Sequence, residues 1–280
     1  MGNTLVSVIL TCYNQEKYLS EALDSVLNQS YPYWECVILN DGSSDGSEEV
    51  AKRYVSRDKR FIYVYQTNQG VVAARNNAIK ISKGDYILPL DGDDKISNKY
   101  LELAIEVLDK NKDVVLVCCN VEKFGEESGP LLLSEINIRN ILRSGCCVSS
   151  SMFRRDCFVT VGGYKMEMSS GWEDWEFFMS LLETGGKAYK LDQVLFYYRI
   201  LNQSRDRRID VNHRELLRRK MVQLHPNSYY REYDKLLSEY EVIVNSHVYK
   251  LLSFLRRMIK FVFKRGCRCE DPDKSAEVYR

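Results

Sequence analysis

The sequence predicts an α/β protein with a mainly parallel sheet flanked by helices, followed by a helical C-terminal extension. Short apolar, β-branched runs alternate with stretches of helical spacing four times before residue 118, over short connections. An open parallel sheet binds ligands outside the carboxyl ends of its strands, which directs attention to residues 11–14, 40–45, 68–75 and 91–94. The composition, 45% apolar and 28% charged over 280 residues, is that of a globular chain and excludes disordered, collagenous and polytopic membrane classes.

The elements follow from their patterns. LVSVIL at residues 5–10 and WECVIL at 34–39 read as strands. Between them Leu19, Ala22, Leu23, Val26 and Leu27 recur at helical spacing over residues 17–28. The dense turn chemistry of residues 40–47 leads to a helix at 48–55, a strand at 61–65 and a helix at 71–81. A strand at 86–90 stops at Asp91, followed by a helix at 98–110 and a strand at 114–118. Residues 122–130 read as a polar loop and 136–142 as a short helix. Strands at 150–153 and 188–198 surround a helix at 173–183. The pattern divides the chain into a body, residues 1–204, and a basic helical extension, residues 205–280.

Charge separates the same two parts. Residues 205–269 hold 16 Lys and Arg against 7 Asp and Glu, a net of +9, whereas residues 1–204 carry 22 against 28, a net of −6. The whole chain is near neutral, which argues against a nucleic-acid partner. Nine cysteines, an odd number with two adjacent pairs, suit free thiols in a reducing compartment better than a bridge framework. Cys267-Arg-Cys269 is a weak metal or redox signal. Asn28-Gln-Ser30 and Asn202-Gln-Ser204 match the glycosylation sequon, without meaning in a cytosolic chain. No signal peptide is visible, and no run reaches the ~18 apolar residues that span a bilayer. The expected location is cytoplasmic.

Asp91-Gly-Asp-Asp94 is the sharpest chemical feature. Three carboxylates at one strand end repel one another unless a cation joins them, and hard oxygen ligands suit Mg²⁺ or Mn²⁺. Gly92 leaves room for a ligand to approach the backbone. The plainer reading is an acidic turn. Asp41 ends the second strand, where a carboxylate accepts from a nucleobase or ribose, or merely caps a turn. Thr11 and Tyr13 end the first strand, with Tyr13 offering a ring face. Arg75 and Arg199 are cations for a base or diphosphate, or partners for nearby acids. Glu173 and Asp174 begin a helix, as the macrodipole favours, and one of them is a candidate general base. Trp172 and Trp175 flank them as stacking faces or core residues. No P-loop, G-x-G-x-x-G turn or zinc spacing occurs, and the only histidines, His213, His225 and His247, lie in the extension.

In this order SVILTCYNQEKYL, VILNDGSSDGS, NQGVVAARNNAI, YILPLDGDD and GWEDWEFFMSLLETGG resemble the inverting family 2 glycosyltransferases of GT-A fold, over residues 4–204. SSSMFRRDCFVTVGGY fits the same family. The resemblance implies a Rossmann-like nucleotide-diphospho-sugar transferase fold and a UDP-sugar donor. It implies that Asp41, Thr11, Tyr13 and Arg75 bind the nucleoside, that Asp91 contacts the ribose or the metal shell, and that Asp93 holds Mn²⁺ or Mg²⁺ in a DXD motif. Asp174 is then the base that deprotonates an acceptor hydroxyl for inverting attack. Three positions depart from the family: Thr11-Cys12 replaces a proline-containing form, Asp94 adds a third carboxylate, and residues after Arg199 lack a histidine common in relatives.

The run VYKLLSFLRRMIKFVF, residues 248–263, has apolar residues at helical spacing with a cationic side of Lys250, Arg256, Arg257, Lys260, Lys264 and Arg265. Such a helix suits an anionic membrane surface, as a lipid-linked acceptor in polysaccharide synthesis would require, or packs on protein. Two other functions compete with transfer: a non-catalytic nucleotide-sugar binding module, and a phosphatase of the haloacid dehalogenase type, which also uses D-x-D.

Overall fold

A computed structural model describes residues 3–143, 146, 148–201 and 209–266, with side chains described as far as Met258. Cys147, Cys267, Cys269, residues 202–204 and the 204/205 boundary lie outside the described residues. So do the side chains of Ile259, Lys260, Val262, Lys264 and Arg265.

The chain forms two compact units, Met1–Ser228 and Tyr229–Arg280. The first opens with β1 (Val6–Cys12), α1 (Glu16–Leu27), β2 (Trp34–Asp41), α2 (Ser47–Arg57), β3 (Phe61–Gln66), α3 (Val71–Ile81) and β4 (Tyr86–Asp91). It continues through β5 (Lys95–Ile96), α4 (Tyr100–Lys110), β6 (Val114–Gly125), β7 (Gly129–Leu131), α5 (Ile138–Ile141), β8 (Met152–Arg154) and α6 (Arg155–Val161). Then come α7 (Glu173–Glu183), β9 (Lys187–Ile200) and α8 (Val211–Leu224). α9 (Pro226–Asn245) and α10 (His247–Gly266) complete the chain.

The strands join in one sheet of order β3-β2-β1-β4-β8-β6-β9-β5, with β7 paired to β6. β3, β2, β1 and β4 are mutually parallel. β8 is antiparallel to both β4 and β6, and β6 and β9 run parallel. This is the GT-A fold that the motifs imply. Every residue of β1 and β2 is buried, as expected of strands covered on both faces. Val6, Val8, Leu10, Cys36 and Ile38 share one core cluster with α1, α2 and α4. The alternate residues Ile9 and Val37 are equally buried on the opposite face, where α3 contacts both strands.

Three parts of the body differ from the sequence reading. Residues 122–125, expected in a loop, extend β6, because β9 pairs with it as far as Gly125↔Ile200. The polar Glu122 and Lys123 thus pair with β9 on one side and β7 on the other and are only partly buried. Residues 155–161 form a helix, α6, that ends on Gly162 at φ +78°, a left-handed cap that glycine adopts without strain. In the basic segment, α8 belongs to the first compact unit and buries Leu217 and Met221, so that unit extends to Ser228. Among the described residues no cysteines are bridged, and Cys12, Cys36, Cys118, Cys119 and Cys146 are buried thiols.

Candidate active site

The register brings the carboxyl ends of the first strands to one level. Thr11 lies opposite both Leu39 and Asp91, and Asp41 lies opposite Gln66. The loops that follow are tied together before any ligand arrives. Asn14, at φ +53°, donates its N–H to Ser43 Oγ (3.0 Å), and its side-chain oxygen accepts from Ser44 N (2.8 Å). Glu16 N donates to Asp45 Oδ2 (3.0 Å), and Gly46 N donates to Glu16 Oε2 (3.0 Å). Each acidic side chain thereby caps the opposing helix start, where the macrodipole favours a negative charge. Tyr13, at the centre of this edge, is half exposed.

Asp41 is buried. Its Oδ1 accepts from Gln66 Nε2 (2.7 Å) and Gln69 N (2.9 Å), and Oδ2 accepts from Gly70 N (2.9 Å). A carboxylate offers about four acceptor positions, so three internal bonds leave capacity at Oδ2. The sequence reading did not foresee that Asp41 also holds the loop entering α3.

The largest surprise concerns Arg75, expected at the nucleoside. It is 2% exposed and bridges two ends of the site. Nη2 donates to Asp91 Oδ1 (2.8 Å) and Oδ2 (3.1 Å). Nη1 donates to Asp174 Oδ1 (2.5 Å) and Glu173 Oε1 (3.3 Å). Burial alone would weaken the guanidinium's charge, but Asp174 and Asp91 more than offset it and hold Arg75 protonated. Asp91 also accepts from Thr11 Oγ1 at 3.3 Å. Residues far apart in sequence are thus drawn into one cluster of a cation and three carboxylates.

Trp172, at φ +59°, turns the chain into α7. Glu173 is completely buried, which removes it as an acceptor contact, whereas Asp174 keeps 22% of its side chain exposed. Trp172 and Trp175 are partly buried with ring centroids 4.6 Å apart, and Trp175 Nε1 donates to Ile141 O. Asn76 exchanges two hydrogen bonds with the backbone of Tyr164 (2.8 and 3.0 Å). Neither Asn76 nor Tyr164 was singled out from the sequence, although each sits inside a quoted motif.

In the Asp91–Asp94 turn, burial and crowding of like charges make Asp93 and Asp94 hard to ionise, despite Arg75 and Arg199 beside the turn. Burial, then Asp91, raises the Asp93 pKa to about 6. Burial, then Asp93 and Asp91, pushes Asp94 well above the usual carboxylate range. Asp94 is 1% exposed and accepts from Arg199 N (2.8 Å) through Oδ1, while its buried Oδ2 has no hydrogen-bond partner among the described residues. Asp94 therefore supports the turn, and Asp93 is the more open of the two. Among the described residues no three Asp, Glu, His or Cys side chains gather to enclose a cation. The donor set fits Mg²⁺ or Mn²⁺ held by one or two carboxylates and completed by substrate phosphates.

Two expected donor contacts have internal explanations. A Cβ on Gly92 would meet Gln15 Oε1 at 2.4 Å and Cys12 Cβ at 3.1 Å, so protein rather than ligand fills that space. Arg199 donates through Nε to Asp93 O (2.8 Å) and through Nη2 to Glu21 Oε1 (2.8 Å), with its guanidinium between the Tyr18 and Phe124 rings. Its partners hold the metal-candidate turn and lend no support to a diphosphate contact.

The model of the family described as "Glycosyl transferase family 2" matches residues 7–161. EpsE of Bacillus subtilis (strain 168), named as a glycosyltransferase, is 30% identical over 201 residues, 69% of this chain and 72% of EpsE. TuaG of the same organism, named for teichuronic acid biosynthesis, is 30% identical over 210 residues, 71% of this chain and 81% of TuaG. S. aureus TarS 1–349 in complex with UDP-GlcNAc superposes with a TM-score of 0.68 at 22% identity, over 79% of this chain and 66% of that one. A Pyrobaculum calidifontis mannosyltransferase in complex with GDP-Man and Mn²⁺ gives 0.59 at 16% identity, over 95% and 88%. At such identities the superpositions establish the fold, and the present chain spans about two thirds of the solved TarS piece. The family model spans the ends of β1, β2 and β4 and Arg75, and EpsE and TuaG are 30% identical and covered over more than two thirds of their length: this chain belongs to glycosyl transferase family 2 and is a glycosyltransferase.

Proposed function

We propose that the chain transfers a sugar from a UDP-sugar to an acceptor hydroxyl with inversion, using a divalent cation. The observation that carries the reading is the ion cluster in which Arg75 joins Asp174, a partly exposed carboxylate, to Asp91 at the end of β4. Asp174 takes the acceptor proton as the acceptor oxygen bonds to the anomeric carbon and the bond to the diphosphate breaks. General-base assistance of this kind contributes roughly 10²–10⁴-fold. Tyr13 stacks on the base, and Asp41 accepts from the base edge through its remaining capacity. Thr11 steadies Asp91 beside the nucleoside. Asp93, with Asp91, would hold Mn²⁺ or Mg²⁺, which when bound offsets charge on the departing nucleoside diphosphate. Trp172 and Trp175 line the acceptor side.

The choice of UDP is supported by the TarS complexes with UDP-GlcNAc and UDP, and divalent-metal use by the Mn²⁺ complex of the mannosyltransferase. A role in cell-surface polysaccharide synthesis is supported by the teichuronic acid name of TuaG. The acceptor would then be a sugar or lipid-linked sugar, met at the inner face of the membrane through basic α10. The phosphatase reading has no support in a family 2 chain.

Calorimetric titration of UDP, with Mn²⁺ and then with EDTA, tests the donor site. Binding should need the metal and fall at least about tenfold in Asp93→Ala, since a metal-bound carboxylate contributes more than 1.4 kcal/mol. Silence towards UDP, GDP and dTDP under all conditions would overturn the reading. Asp174→Asn should keep UDP binding and lose turnover. If the unaltered chain binds UDP but transfers no sugar to any acceptor or to water, it is a binding module.

A further inference from the structure

We infer that Arg75 is a positioning residue for the base rather than a donor ligand: its guanidinium, anchored on Asp91, fixes Asp174 for acceptor activation. The inference rests on the transferase reading of this site and adds a role to a residue that the family resemblance assigns to the nucleoside.

Three observations carry it. First, the guanidinium presents nothing to a ligand. Nη1 and Nη2 are both engaged by carboxylates, and Nε is buried without a partner among the described residues. Second, the side chain is closed in from its face, with Tyr164 covering it at 5.6 Å from guanidinium carbon to ring centroid. Tyr164 in turn is stacked on Phe177 of α7 at 4.2 Å and clamped through its backbone by Asn76. Consecutive residues of α3 therefore hold both the base and the segment leading into α7. Third, the geometry needs a fork. Two carboxylates lie on different nitrogens of one planar group, Asp91 sixteen residues away and Asp174 ninety-nine. A lysine ammonium is a single point charge and cannot span them in this way.

The bridge also explains why Glu173 is buried beside an exposed Asp174. Glu173 adds a second contact at Nη1, at 3.3 Å, from the side away from solvent. Both acids thus hold the helix start, and Asp174 is the one that keeps part of its side chain exposed.

Arg75→Lys keeps the charge and removes the fork. Melting of each variant first establishes that it is folded, and Arg75→Gln provides an uncharged second test. UDP release from UDP-glucose, UDP-galactose or UDP-N-acetylglucosamine, with water as acceptor, should fall in kcat by about 100-fold, the cost of a misplaced reacting group. KM for the donor, and UDP affinity in Mn²⁺ by calorimetry, should stay within about threefold. Independently of activity, urea unfolding of Arg75→Lys, Asp174→Asn and the double variant should show coupling of roughly tenfold in the folding equilibrium. A loss of UDP affinity beyond about tenfold, a loss carried by KM, or additive unfolding effects would each overturn the inference. If the unaltered chain binds no nucleotide while the coupling persists, the transferase reading fails and the bridge remains as architecture only.

Discussion

Asp41 shows how a side chain proposed to meet a ligand also serves the fold. Its three internal hydrogen bonds include two backbone N–H groups, those of Gln69 and Gly70, at the turn into α3. Asp41→Ala leaves both without this acceptor, at about 1–3 kcal/mol for a buried unsatisfied donor, so the melting temperature should fall measurably even without nucleotide. Asp41→Asn keeps one acceptor oxygen and should recover part of that stability while still weakening UDP in calorimetry. Equal stability of the Ala variant and the unaltered chain would show that the loop does not depend on Asp41. Its place at a strand end was legible because Asp follows an apolar run; its bonds were not, because they depend on the register of β2 against β3.

Helix α7 is held at both ends, and neither hold was legible in the sequence. Its first turn meets Arg75, and its later turns meet His225, which is buried between Glu176 (3.2 Å) and Glu183 (2.8 Å). Burial disfavours the imidazolium, but the two glutamates outweigh it and raise His225 from 6.5 to about 9. The folded state therefore binds the proton more tightly than the unfolded chain. The stabilisation is fully present below about pH 6.5 and is lost as pH rises through about 9. Melting temperature should decline between pH 7 and pH 10, and His225→Gln should flatten that decline. An unchanged slope in the variant would rule out this histidine as the cause. Gly163, at φ +76°, is a second control point, since a Cβ there would meet Asn76 Oδ1 at 2.8 Å and the Phe158 ring at 2.9 Å. Gly163→Ala should cost about 1–3 kcal/mol, read by urea unfolding. His225 was read only as a residue of the extension, because helical spacing in α8 says nothing about which acids await its end.

Across the whole molecule, pattern located the central elements of the body, since β1, β2 and nearly all of β4 are buried on both faces and the helices between them on one. What it missed are the short helix α6 and the elements defined by partners: β7, the two-residue β5, and the continuation of β6. The candidate site was legible as strand ends and acidic turns, but the joining of Arg75 to Asp174 depends on tertiary approach over nearly a hundred residues. The second compact unit shows a different logic. On α10, Val248, Leu251, Leu252, Phe254, Leu255 and Met258 are exposed, as are Lys250, Arg256 and Arg257. No helix among the described residues is long and apolar enough to cross a membrane. Sedimentation with vesicles containing phosphatidylglycerol should carry the protein down at low salt and release it at high salt. Reversing Lys250, Arg256 and Arg257 to Glu should cut binding at least about 100-fold, at about 1 kcal/mol for each basic residue. Equal binding to neutral vesicles, or none to anionic ones, would exclude an electrostatic membrane contact.

The reciprocal caps among Asn14, Ser43, Ser44, Asp45, Glu16 and Gly46 have a thermodynamic corollary. They fix this edge of the sheet during folding, so little backbone freedom would remain to be surrendered if the proposed nucleoside docks there. Amide exchange at residues 43–46 should already be slow in the free protein and change little on nucleotide addition. The edge then acts as a fixed gauge for the base. On the proposed reading, the choice among sugars and acceptors would fall to residues outside this edge.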